Sequence, residues 1–70
     1  MKRTDLIKQI AKAAKADGVE FELLRTQGID DIYTLGGVRL SIPRHREIAE
    51  GTADGIRKQA GTRLGKRWWR

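Results

Sequence analysis

Two aspartates stand side by side, Asp30 and Asp31, in the stretch Gln27-Gly28-Ile29-Asp30-Asp31-Ile32-Tyr33-Thr34-Leu35, and the chain's single histidine, His45, lies between Arg44 and Arg46. These are the side chains best suited to moving a proton. A carboxylate accepts protons or binds a divalent cation, and an imidazole does acid–base work near neutral pH because its ordinary pKa is about 6.5. Adjacent residues of a strand point to opposite faces, which argues against joint metal ligation by Asp30 and Asp31. Two simpler readings stay open: a pair of solvated, turn-favouring residues at a strand start, and a working base at Asp30. For His45 the loop setting favours contact with phosphate, ahead of a plain solvated loop residue and of catalysis.

Around these residues the chain is basic, with 15 Lys and Arg against 9 Asp and Glu and a formal charge of +6. Polyanions suit such a surface, since each neutralised phosphate releases a counterion. Excess charge also keeps a small domain soluble, but here the cations recur in three separate segments, which favours the polyanion. No cysteine is present and there is one histidine, which excludes disulfides and argues against a zinc or iron site, so no metal or small-molecule cofactor is expected. With 39% hydrophobic residues, no long apolar run and a start that is basic and then amphipathic, the chain reads as globular, without a membrane span or secretory signal; a cytoplasmic location is expected. Seventy residues make one domain with a thin core, for which a partner chain is a reasonable expectation.

The elements that must position these residues follow from periodicity. Leu6, Ile10, Ala13 and Ala14 recur at helical spacing between Thr4 and Ala16, with Thr4 as a candidate N-cap and Gly18 as a stop. Alternation takes over at Val19, Phe21 and Leu23, then in Ile32-Tyr33-Thr34-Leu35 and in Val38-Arg39-Leu40-Ser41-Ile42, with Gly36-Gly37 as a two-residue hairpin turn and Pro43 ending the last strand. Thr52 is a candidate N-cap for a short second helix carrying Ala53, Ile56 and Ala60, closed by Gly61. The expected fold is α+β, in the order αβββα: a three-stranded antiparallel sheet with two helices on one face and the other face open. On that plan Arg39 lies on the open face, Arg44 and Arg46 flank the loop after the third strand, and Arg57 and Lys58 stand on the second helix. Together these cations would follow an RNA backbone, reading shape more than sequence.

The start MKRTDLIKQIAKAA, the glycine Gly28 followed shortly by Ile32-Tyr33, and above all the block VRLSIPRHREIAEGTADGIRKQAG resemble the HicA family. These are toxins of type II toxin–antitoxin systems, small metal-independent endoribonucleases that cleave mRNA and are neutralised by a HicB antitoxin. The resemblance covers residues 1–61 and leaves 62–70 as a basic, aromatic tail. It implies a double-stranded-RNA-binding-like fold, adds Lys2 and Arg3 to the RNA-contacting set, and puts the family's catalytic histidine at the position of Asp30, with a small polar residue at Ile29. This chain departs from the family at both. A carboxylate is a weak base near neutral pH and repels the phosphate it should attend, so the resemblance implies an impaired enzyme, natural or selected. A non-enzymatic RNA-binding module is the alternative. A HicB-type partner would cover the open sheet face and basic loop, meeting Arg39, Arg44, Arg46 and Tyr33. Trp68 and Trp69 are expected to pack on the core or on a partner, ahead of stacking on bases.

Overall fold

Burial explains the first helix directly. Leu6, Ile10 and Ala14, one turn apart, are all buried in α1 (Arg3–Ala16). The helix begins one residue before Thr4, and Lys2 occupies the N-cap without a side-chain capping bond. Its first amide is satisfied by tertiary structure instead: the Arg3 N–H donates to the Arg46 carbonyl at 2.9 Å. These features come from a computed structural model, which describes residues 1–65 and 68–69.

Three strands follow, β1 (Phe21–Gln27), β2 (Asp30–Leu35) and β3 (Val38–Pro43), in spatial order β1-β2-β3 and antiparallel throughout. Between β2 and β3, Leu35 faces Val38, Tyr33 faces Leu40 and Asp31 faces Ile42, and these six lie on the face the helices cover. Asp30, Ile32 and Thr34 pair with Pro43, Ser41 and Arg39 on the other face. Tyr33, expected on the open face, is thus on the covered one, where its ring stacks on Phe21 at 4.9 Å. The β2–β3 turn is the two-glycine turn anticipated, with φ +53° at Gly36 and +91° at Gly37, a conformation of the mirror-image hairpin type.

The first strand departs most from its sequence pattern. It extends through Arg25, Thr26 and Gln27, and the register shifts between Leu23 and Arg25, so one residue is bulged. Regular alternation ends there; Leu23, before the bulge, keeps the face of Phe21 by pairing with Tyr33, yet on this edge strand it is 53% exposed.

The second helix, α2 (Glu50–Leu64), is longer than expected. It starts before Thr52, with Ala49 at the N-cap, and passes Gly61 to end where Gly65, at φ +95°, donates its N–H to the Gly61 carbonyl. Ala53, Ile56 and Ala60 face Leu6 and Ile10 of α1 and Leu35, Leu40 and Ile42 of the sheet in one core, as the αβββα plan requires. Trp68 packs against that core and donates its indole N–H to the Arg57 carbonyl at 2.8 Å, while Trp69 meets it edge-on. Lys66, Arg67 and Arg70 lie outside the described residues. Among the described residues no helix is long and apolar enough to cross a membrane.

The tight turn yields a comparison. A Cβ at Gly36 would come within 2.8 Å of the buried Val19 side chain and 2.5 Å of Arg63 Nε, whereas one at Gly37 meets nothing within 4 Å. Alanine at either position carries the left-handed backbone penalty of about 1–2 kcal/mol. Gly36→Ala should cost a further ~1–3 kcal/mol from overpacking, read as a lower urea midpoint than Gly37→Ala gives. Equal midpoints would show that Val19 and Arg63 move aside freely.

Candidate functional site

Pro43 ends β3, and the chain then turns back along its own beginning. The Arg44 N–H still donates to the Ile29 carbonyl at 2.8 Å, prolonging the β2–β3 pairing by one step. Beyond it, Lys2 bridges Glu47, and the Ile48 N–H donates to the Met1 carbonyl at 2.7 Å. Residues 1–3 and 46–48 therefore run side by side, although more than forty positions separate them in sequence. Four cations meet as a result. Lys2, Arg3, Arg44 and Arg46 line a cleft of about 710 Å³ together with Thr4 and Glu47.

A second, smaller cleft of about 290 Å³ is lined by Gly28, Ile29, Arg44 and His45. Arg44 forms a wall of both, so the cationic surface continues from the start of α1 to the β1–β2 turn. Arg44, His45 and Arg46 are all exposed.

The two aspartates part company here. Asp31, on the covered face, has only 12% of its side chain accessible, and the Arg3 guanidinium donates from Nη2 to its Oδ2 at 2.5 Å. Thr26 Oγ1 donates to Oδ1 at 2.8 Å, and Arg44 Nε stands 3.9 Å from the same oxygen. Arg3 also donates from Nε to the Pro43 carbonyl at 3.0 Å, which ties α1 to the end of β3. Asp30 is half-buried on the opposite face, between Gln27 and Pro43, and among the described residues its side chain makes no hydrogen bond or ion pair.

Other expected RNA contacts are placed apart. Arg39 is exposed on the open face, opposite Thr34, about 13 Å along β2 from Asp30 at ordinary strand rise. Arg57 is not a free surface cation: its side chain is 12% accessible and donates to Gln9 Oε1 at 3.2 Å and Asp54 Oδ1 at 3.1 Å, between the helices. Lys58, its neighbour on α2, is exposed and away from the cleft residues. The site thus gathers Lys2, Arg3, Arg44, His45 and Arg46, and leaves out Arg39, Arg57 and Lys58.

Sequence reasoning weighed Asp31 only as the neighbour of Asp30, without its pairing to Arg3, and passed over Thr26. The signal for Asp31 was present: it shares strand parity with Tyr33 and Leu35, and so with the covered face. Thr26 left no such trace, because the bulge before it alters the parity of the strand.

A buried carboxylate with three polar neighbours should matter to folding where its sequence neighbour does not. Asp31→Ala strands the Arg3 guanidinium and should lower stability by about 1–3 kcal/mol, while Asp30→Ala should stay within ~0.5 kcal/mol. Thermal and urea unfolding of the two variants compares them directly, and similar losses would refute the division of labour. The chain matches no family model, no curated protein and no solved structure, so the functional reading rests on its own residues.

Proposed function

We propose that this chain is a HicA-like toxin of a type II toxin–antitoxin system: an RNA-binding domain of mRNA endoribonuclease type, neutralised by a HicB-type antitoxin, with catalysis impaired by Asp30. The observation that carries this reading is the convergence of Lys2, Arg3, Arg44, His45 and Arg46 at the end of the sheet where Asp30 begins β2. RNA offers a backbone of phosphates for those cations, and the open face leaves the strand bearing Asp30 accessible on one side.

The chemistry locates the defect. Metal-free RNA cleavage needs one group to take the 2′-hydroxyl proton and another to protonate the leaving oxygen. Asp30 brings negative charge towards a phosphate and, among the described residues, has no hydrogen-bonding neighbour to orient it. That isolation also favours the second reading, a non-enzymatic RNA-binding module on the same fold. A HicB-type partner would silence the domain by covering the basic loop and open face through Arg39, Arg44 and Arg46, in competition with RNA. Tyr33, being on the covered face, takes no part.

Two experiments separate these readings. Induced in bacteria, the chain should scarcely slow growth, whereas Asp30→His combined with Ile29→Ser should arrest it. Equal arrest by both forms removes the impaired-enzyme reading, and no arrest by the double variant favours the binding module.

Binding to a labelled RNA hairpin should weaken steeply as salt rises, and the double charge reversal Arg44→Glu, Arg46→Glu should reduce the slope of log affinity against log salt by about 2. Fluorescence anisotropy over a salt series measures both. A salt-independent affinity would count against a phosphate-tracking surface.

A further inference from the structure

We infer that Asp31 is a positioning residue, which holds Arg3 and Arg44 so that their remaining guanidinium N–H groups grip one backbone phosphodiester of RNA in the cleft closed by Lys2 and Arg46. The inference rests on the RNA-binding reading above and assigns it a specific phosphate site.

The geometry lies in how each arginine is used. Arg3 spends Nε on the Pro43 carbonyl and one Nη2 proton on Asp31, which fixes the plane of its guanidinium and leaves both Nη1 protons and one on Nη2 available. Arg44 approaches Asp31 only through Nε, at 3.9 Å, and its side chain is 58% accessible, so among the described residues its terminal nitrogens are uncommitted. Both side chains line the same cleft, and Asp31 is not among its lining residues.

A carboxylate that hydrogen-bonds one arginine and attracts a second from 3.9 Å, both from outside the cleft, acts on their orientation, at the cost of cancelling part of their charge. Orientation matters because a planar guanidinium binds a phosphate through two parallel hydrogen bonds only when its fork is aimed, whereas an ammonium acts as a point charge. Thr26 completes the arrangement by donating to the Oδ1 that faces Arg44, which keeps the carboxylate from rotating away. Glu47 on the cleft wall does not cancel the four cations facing it.

Charge counting and positioning predict opposite signs. Asp31→Asn makes the chain one unit more positive, so a general electrostatic surface would bind RNA more tightly. Positioning predicts about tenfold weaker binding at the same salt, the loss of roughly one charge-assisted hydrogen bond. Asp17→Asn, an equal charge change in the exposed turn after α1, should leave affinity unchanged or slightly tighter. Arg44→Lys keeps the charge of an exposed residue and should weaken binding about five- to tenfold, since the fork is lost.

The probe is a fluorescein-labelled RNA hairpin titrated with each full-length variant, with thermal melts confirming that each is folded at the assay temperature. Weaker binding by both Asp31→Asn and Arg44→Lys supports the clamp. If both bind as tightly as the unmodified chain, the positioning role is overturned and the RNA-binding reading stands. Should Asp31→Asn fail to fold, Arg44→Lys decides alone, and undiminished affinity overturns the clamp. If the unmodified chain does not bind the hairpin at low salt, the RNA-binding reading fails and the clamp with it.

Discussion

The ion pair between Arg3 and Asp31 joins three parts of the chain that are remote in sequence: the first turn of α1, the start of β2 and, through the Pro43 carbonyl, the end of β3. Its importance is geometric more than energetic. A largely buried pair loses much of its Coulombic gain to desolvation, but by also binding the Pro43 carbonyl Arg3 ties the first turn of the helix to two strands at once. With Arg3 held there, Lys2 falls beside Glu47 and the chain start lies along residues 46–48. The cationic cleft is therefore a by-product of the docking of α1. Its members come together because a carboxylate on the covered face needs a partner and Arg3 supplies it.

A second constraint follows from the bulge in β1. In a regular strand Leu23 and Arg25 would share a face, so Arg25 would point under the helices and Thr26 away from them. The shifted register puts Arg25 opposite Ile32 on the open face and Thr26 opposite Asp31. One extra residue thus removes a charge from the covered side and delivers a hydroxyl to the carboxylate there, where it donates a hydrogen bond.

Arginines of similar sequence context end with different roles because their surroundings compete for them. Arg57 is drawn between α1 and α2 by Gln9 and Asp54, and its carbonyl receives the Trp68 indole, so it acts as a joint between the helices and the aromatic tail. Arg3 is divided between holding the fold and facing the cleft. Arg46, on the loop after the proline, is exposed, while Arg44 on the same loop reaches back to within 3.9 Å of Asp31 with most of its side chain in solvent.

Much of the architecture was legible in the sequence. Helical spacing of Leu6, Ile10 and Ala14, alternation of Val38, Leu40 and Ile42, and the Gly36-Gly37 pair determined the αβββα order, the inward face of β3 and the hairpin between β2 and β3, because each depends on local periodicity or on a backbone conformation that glycine adopts freely. The basic character of the loop at Arg44–Arg46 was equally plain from composition. Tertiary structure alone decided the rest. The start of α1 at Arg3 depends on the Arg46 carbonyl, the parity of Thr26 depends on a bulge, and the burial of Arg57 depends on Gln9 of another helix. The fates of Asp30 and Asp31 show the division most clearly: strand alternation assigns them to opposite faces, but only the packed helix, by bringing Arg3 to one of them, turns that difference into a buried ion pair beside an uncommitted carboxylate.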